Sequence, residues 1–576
     1  MKTNDHRIGV YICWCGTNIS GMVDVEALSQ SIGQLPDVAV SRDYKYACSD
    51  PGQQLIIDDI HEYRLTNVVV ASCSPRIHEI TFRRAIENAG LNPYMLEMAN
   101  IREQVSWVHS DRDEATRKAG ALIKAAINRV RYHEPLEKRY VDINPTTLVI
   151  GAGISGMTAA LEIADAGKKV YLVEKADKPG GLVAQLDLTY PHFDSAQELV
   201  LSKIKRVNDH PNIDLFLNST ITEISGFIGN FSTHLRLDGQ EGQELKFGNI
   251  IVATGLRPID AGIIENYNYR NIPDVITSLE FEKMLLEGNI STEEGKTPKH
   301  VAIIHCAGSR NSRYHEYCSR TCCMVALKFI HQIRSILPQT NIYDLYTDMR
   351  SFGKGCEALY TRTNNNTMFL MFDKDDLPQI KTANPGDDCS ILIEMNEKLS
   401  GRSVEIPADM VILMVGMEGQ TDAKDIARAV GISLCGSNFF IEKHPKLDPV
   451  ATTTDGVFIA GACQGPKDIP DSIAQASAAA ARVLSTISAG KVQVESITAS
   501  VNEDICCGCQ TCISVCPYSA ISFDEEKSVS VVNELICKGC GTCGSTCPTG
   551  AIRSRHYTDE QILSQISGLI ETANTM

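Results

Sequence analysis

The sequence predicts an α/β protein assembled on parallel sheets, closed by a small α+β domain organised around cysteine. Short apolar strands alternate with helical stretches between residues 7 and 131, and a further strand runs into a glycine-rich turn and an apolar helix from residue 146. One cysteine spacing then occurs twice between residues 506 and 548.

The alternation comes first. RIGVYIC, VAVSRDY and NVVVAS read as strands, and the helical stretches between them argue for a parallel sheet covered on both faces. Cys13, Cys15, Cys48 and Cys73 fall just beyond the ends of those strands. The carboxyl ends of an open parallel sheet form its ligand crevice, so four cysteines scattered over 60 residues can converge there around a metal cluster. The competing reading is that each is a small buried hydrophobe.

The glycine-rich turn is next. TTLVI enters Gly151-x-Gly153-x-x-Gly156, with Ala152, Ile154 and Ser155 between the glycines, then the helix MTAALEIADAG and the strand KVYLVE, which ends at Glu174 and is followed by Lys175. Strand, glycines, helix, strand and acid stand in the order a dinucleotide fold needs: the glycines let pyrophosphate reach the helix N-terminus, and Glu174 can accept from ribose hydroxyls. A helix-packing glycine cluster is the alternative. Three further segments select FAD over NAD. Gly180, Gly181 and Leu182 follow soon after Glu174; NIIVATG ends at Ala253, Thr254 and Gly255; and TTTDGVFIAGAC sets a buried strand before Gly461, Ala462 and Gln464. Together they resemble the flavin half of the thioredoxin-reductase-like family, with one departure, since Ala462 stands where that family has an aspartate at the ribityl chain. In the second α/β lobe of that family a glycine-rich loop binds NADPH. Here the strand HVAIIH meets Cys306, Ala307, Gly308, Ser309 and Arg310, so pyridine-nucleotide binding is expected to be lost. Cys318, Cys322 and Cys323 follow, giving C-x11-C-x3-C-C, which reads as a cluster site or as a redox-active or buried cysteine pair.

The repeated spacing carries the most specific signal. C-x2-C-x2-C-x3-C-P runs through Cys506, Cys509, Cys512 and Cys516, and again through Cys537, Cys540, Cys543 and Cys547. Three close thiolates wrap a 4Fe-4S cubane only if the backbone turns tightly, and the closing Cys-Pro leaves for the other cluster. One cluster is therefore assigned to Cys506, Cys509, Cys512 and Cys547, and the other to Cys537, Cys540, Cys543 and Cys516. Zinc knuckles would want separated C-x2-C pairs or added histidines.

Length and composition agree. At 576 residues three or four domains are expected. We expect an amino-terminal α/β domain at 1–142, an FAD lobe at 143–295 and 421–490, a second lobe at 296–420, and a two-cluster ferredoxin domain with a tail at 491–576. A net charge of −17 disfavours nonspecific attraction to nucleic acid or anionic lipid. No apolar run reaches the ~18 residues of a spanning helix, and MKTNDHRIGV has no apolar signal core, so a soluble cytoplasmic protein is expected. Twenty-one cysteines in that setting point to metal ligation rather than disulfides.

CAGSRNSRYHEYCSRTCCMVALK resembles the signature of the heterodisulfide reductase A subunit family, and ICWCGTNISG, CSDPGQ, SCSPRIHEITFR and NPYMLEMANIREQVSWVH resemble its amino-terminal region. The segment 224–248 is too short and cysteine-free for the extra ferredoxin domain inserted in many methanogen members, so the likeness is to a short form. The resemblance implies that the central and amino-terminal cysteines each hold a cluster, making four 4Fe-4S clusters with one FAD. It implies Lys328 near the reactive ring nitrogen of the flavin, where a lysine on a helix would otherwise be solvated. It implies flavin-based electron bifurcation in a cytoplasmic complex containing B- and C-type subunits, ferredoxin, a hydrogenase, formate dehydrogenase or NADH-oxidising donor, and a homodimer of this chain. Two other readings compete: a stand-alone NAD(P)H-dependent disulfide reductase, and a passive electron-wiring component with structural FAD.

Overall fold

The computed structural model describes residues 6–237, 240–364 and 367–574; the first five residues of the expected amino-terminal domain and the last two of the tail lie outside the described residues. The chain divides into two compact units, 1–140 with 493–576 and 141–492. Among the described residues no helix is long and apolar enough to cross a membrane.

In the first unit Val38–Tyr44, Ile8–Cys13, Asn67–Ser72 and Leu96–Asn100 form a parallel sheet in that spatial order. The chain moves one way from its first strand to its second and the other way to its third, so a topological switch point lies between Ile8–Cys13 and Asn67–Ser72. Strand alternation divides the core. Val10, Ile12 and Val69 face the helices Val25–Ile32 and Arg112–Val130, while Tyr11, Val68 and Val70 face Asp50–Tyr63 and Pro75–Asn88. Burial on both faces explains why these strands read as continuous apolar runs.

The cysteine-rich segment of the same unit has little of this. Two antiparallel pairs, Ala499–Val501 with Ile552–Ser554 and Ile521–Asp524 with Val529–Val532, surround a core of Ala499, Cys512, Ile521, Cys543 and Ile552. The tail is a helix, Asp559–Asn574, lying on Arg112–Val130 so closely that a β-carbon at Gly568 would be 2.8 Å from Ala125 Cα. Arg129 fixes its approach by donating to the His556 carbonyl at 2.9 Å, and Gln561 donates to the Tyr132 carbonyl at 2.9 Å.

The second unit holds two parallel five-stranded sheets. One runs Val457–Ile459, Asn249–Val252, Thr147–Ile150, Val170–Val173, Ile213–Phe216, and the other Val275–Thr277, Met410–Val415, His300–Ala307, Asn341–Tyr346, Met368–Met371. An antiparallel pair, Leu256–Pro258 with Met417–Gly419, joins the lobes. The two α/β lobes expected from the sequence are thus present, and the short cysteine-free segment belongs to a three-stranded antiparallel meander.

Candidate functional site

The strand Thr147–Ile150 delivers the chain into a turn that only glycine can make. A β-carbon on Gly151, at φ 100°, would lie 2.6 Å from Ala253 O, and one on Gly156 would lie 1.8 Å from Gly151 O. At Gly153 it would meet open space, which is a cavity of about 490 Å3. That volume lies within the range of cofactor pockets, about 300–1,000 Å3.

Gly151, Gly153, Ile154, Ser155, Glu174, Lys175, Gly180, Gly181, Leu182, Ala253, Thr254, Gly255 and Ala462 line the cavity. Ala152, Gly156, Gly461 and Gln464 stand behind that wall. Ala152 N donates to Glu174 Oε2 at 2.7 Å, Gly461 N to Gln475 Oε1 at 2.8 Å, and Gln464 Nε2 to Glu442 Oε2 at 2.8 Å, so their polar groups are committed to support. The first turns of Ile154–Asp165 and Ile469–Ala489 both reach the wall, through Ile154 and Ser155 and through Ile469 and Ser472, presenting helix N-termini that suit an anion. Thr254 Oγ1 is buried with no partner and sits on the lining. An unsatisfied hydroxyl at the end of a strand, beside two helix N-termini, fits a bound dinucleotide that supplies the missing acceptor.

The far wall belongs to the second lobe. Cys322, Val325 and Lys328 reach it from the helix Cys322–Ile336. Lys328 is 2% exposed rather than solvated; it is ion-paired with Glu282, which is also 2% exposed, and it donates to Leu188 O at 2.9 Å. Burial pulls the Lys328 ammonium below the usual lysine range against the pull of Glu282, and burial holds Glu282 above the usual carboxylate range against Lys328. Asp187 N donates to Glu282 at 3.0 Å, so the pair is anchored to backbone on both sides.

Cys306, Cys318, Cys322 and Cys323 come together beside this wall. Burial pushes the Cys322 thiol well above its usual range, and the sulfurs of Cys306, Cys323 and Cys318 add to that. The loop that carries them holds Cys306, Arg310 and Arg320 at φ 58°, 60° and 63°, a concentration of left-handed residues that marks a functional constraint. A buried pair supports them. His305 Nε2 lies 2.8 Å from Asp344 Oδ1, and although burial opposes it, Asp344 with help from Cys323 lifts the imidazole well above the usual histidine range. Burial raises Cys323, but hydrogen bonding to His305 and the imidazole charge leave that thiol lowered.

In the first unit Cys13, Cys15, Cys48 and Cys73 gather at the carboxyl edge of the sheet. Burial raises Cys13, with Cys15 and Cys48 contributing, and burial pushes Cys73 up to about 11 against the pull of Arg102. Among the cysteines of the repeated spacing, burial raises Cys543, with Cys537, Cys540 and Cys516 as sulfur neighbours, while Cys509 is drawn down by hydrogen bonding to Thr511 and feels Cys547. Each closing cysteine thus stands with the other triplet. Backbone donors support them, Ala499 N to Cys537 Sγ at 3.4 Å and Ala520 N to Cys516 Sγ at 3.3 Å. A β-carbon on Gly539, at φ 61°, would lie 2.1 Å from Ile497 O, so only glycine fits that turn. Among the described residues no three histidine, cysteine, aspartate or glutamate side chains converge tightly enough for a single ion; a cubane puts iron and sulfide between its thiolates and needs a wider ring.

Glu282 and Asp344 carry no local motif. Arg102 lies within the segment NPYMLEMANIREQVSWVH and His305 stands one residue before Cys306, so the position of each could have drawn notice.

Comparison with known proteins adds names to this geometry. Residues 145–304 match the pyridine nucleotide-disulphide oxidoreductase family and 505–551 the 4Fe-4S dicluster domain. The iron-sulfur A subunit of a CoB–CoM heterodisulfide reductase from Methanopyrus kandleri is 41% identical over 653 aligned positions, covering 99% of both chains. The A subunit of an H2:CoB-CoM heterodisulfide,ferredoxin reductase from Methanothermobacter thermautotrophicus is 40% identical, covering 98% of this chain and 97% of its own. The A subunit of an H2/formate:CoB-CoM heterodisulfide,ferredoxin reductase from Methanococcus maripaludis is 37% identical over the full length of both.

Proposed function

The chain belongs to the heterodisulfide reductase A subunit family, and on that premise we propose that it is the electron-bifurcating component of its complex, feeding ferredoxin and a disulfide-reducing subunit from one donor. It is a flavin and iron-sulfur oxidoreductase subunit. The observation that carries the proposal is that Cys322 and Lys328, two turns of one helix, both face the cavity lined by the glycine turn. A flavin supplies the conversion between electron pairs and single electrons, and clusters carry single electrons.

In this reading the four cysteine sets hold four 4Fe-4S clusters and two copies of the chain pair; the expected boundary at 295 moves forward, because Val275–Thr277 pairs with Met410–Val415 and Phe281, Leu285 and Ile290 join the core of the second lobe. B- and C-type subunits take one electron branch, and ferredoxin the other. The names of the relatives favour a hydrogenase or formate dehydrogenase as donor. The residues of the chain have defined parts. Glu174 accepts from Ala152 N and Ala176 N at the ribose end, and Thr254 offers the free hydroxyl. Leu182, Val183, Leu186, Val325 and Met414 exclude water. Lys328 holds its proton at Nζ between Glu282 and Leu188 O. No self-contained NADPH site is proposed, because the loop after His300–Ala307 is committed to cysteine and Arg310, which ion-pairs with Asp348.

The test is anaerobic turnover of the native complex with donor, heterodisulfide and ferredoxin. Ferredoxin reduction is expected only while heterodisulfide is also reduced, and in equal electron number. Ferredoxin reduction that continues at full rate without heterodisulfide would refute bifurcation.

A further inference from the structure

Directly after the last strand of the amino-terminal sheet the chain makes one π-helical turn, Arg102–Ser106, in which Trp107 N donates to Arg102 O at 2.9 Å. Single π turns mark functional positions because they cost backbone geometry to re-aim a side chain. Here the side chain is Arg102, 15% exposed. Its Nη1 donates to Cys15 Sγ at 3.3 Å. Its Nη2 and Nε both donate to Glu103 Oε1, at 2.7 and 3.2 Å, and its guanidinium carbon sits 4.9 Å from the centre of the Trp107 ring. Glu103 is tied down in turn, since its other oxygen accepts from Ser74 N at 2.9 Å, next to Cys73. Cys15 meets the guanidinium from a left-handed backbone, φ 49°.

Three supports for one cation exceed what packing needs. Arginine is the side chain suited to the place, because it keeps its charge when buried and directs several N–H groups at once. The charge also acts on Cys48 and Cys73. Glu103 offsets part of it, but the N–H aimed at Cys15 remains.

We propose that Arg102 sets the reduction potential of the amino-terminal cluster, by donating to the Cys15 thiolate and placing a positive charge beside three of its four ligands. The inference rests on the reading that these four cysteines hold a cluster. Reduction there adds one electron and one negative charge, with no bond made or broken, so a fixed cation and an N–H···S bond favour the reduced form. The ferredoxin-type thiols in the same unit meet backbone N–H groups and the hydroxyls of Ser530, Thr542 and Thr549, whereas Cys15 takes a charged donor.

The experiment is a redox titration of the full chain with dithionite and mediators, followed by electron paramagnetic resonance; the signal lost in Cys48→Ser identifies the amino-terminal cluster. Arg102→Gln is expected to keep the cluster and reduce its reduction equilibrium constant about tenfold, which is about 59 mV more negative for one electron. Arg102→Lys, which keeps charge without the fork, is expected to recover part of that shift. An unmoved potential in both variants overturns the proposal while leaving the cluster reading intact. Should Arg102→Gln fail to load iron, Arg102→Lys decides alone: a potential below wild type supports the proposal and a wild-type potential overturns it. If Cys48→Ser removes no signal and no iron, the cluster reading itself fails.

Discussion

The two ends of the chain present cysteine in opposite ways. At the amino-terminal end Cys13, Cys15, Cys48 and Cys73 sit on the rim of a sheet whose two faces are filled by Val10, Ile12, Val69 and their helices on one side and Tyr11, Val70 and Phe82 on the other. That scaffold buries enough apolar surface to exist before any metal arrives. At the carboxyl end two of the five core residues are Cys512 and Cys543 themselves, so removing the cluster removes the core. The sheet brings its cysteines together; the clusters bring the ferredoxin segment together.

The largest expected effect follows from that contrast. Stripping iron with a chelator and reductant should abolish amide protection in Ile521–Asp524 and Val529–Val532 while Ile8–Cys13 and Asn67–Ser72 stay protected, as read by hydrogen exchange. Equal loss at both ends would erase the distinction. Next comes Phe82→Ala, a fully buried ring in the sheet core, which should cost about 3–5 kcal/mol in denaturant unfolding of the first unit. The same substitution class in the ferredoxin segment, Ile521→Ala, should show most of its effect only after iron is removed.

The central cysteines test whether a third arrangement follows the sheet pattern. Cys318→Ala should remove about four irons while leaving the ferredoxin signals, and the second lobe should remain folded by circular dichroism. Lys328→Ala leaves Glu282 buried without its cation and should destabilise the second unit by about 3 kcal/mol in denaturant unfolding. If FAD stays bound, each 1.4 kcal/mol of altered interaction moves a two-electron potential by about 30 mV. Unchanged potentials would return Lys328 to a purely structural role.

How much of this was legible depended on the distance in sequence between partners. The C-x2-C-x2-C-x3-C-P repeats and the Gly151–Gly156 turn are short-range devices, and their chemistry could be read directly. The convergence of Cys13 with Cys73 followed from strand order, one step less direct. Lys328 could be named, but its partner Glu282 lies 46 residues away on another helix, and no local pattern announces such a pair. His305 and Asp344 are 39 residues apart for the same reason. The tail from 559 to 574 carried no motif, yet it packs on Arg112–Val130, because amphipathic packing has no signature beyond spacing.

The turn that leads into that tail supplies the smallest expected effect. His556 stacks on His133 at 4.4 Å, and burial, with His133, pushes it down to about 4 from 6.5. A histidine lowered in the folded state stabilises fully above the unfolded value and loses that contribution as pH falls toward the folded one. First-unit stability should therefore drop between about pH 6.5 and 4 by on the order of 1–2 kcal/mol, after allowance for partial solvent exposure, and His556→Gln should flatten the profile.

The most direct test of the account is the cofactor content of the intact chain purified without oxygen. Four sets of four thiolates and one cavity beside the glycine turn imply about sixteen irons and one FAD per chain. About eight irons, removed together by substitutions in the carboxyl-terminal cysteines alone, would show that the sheet-edge and central cysteines hold no clusters.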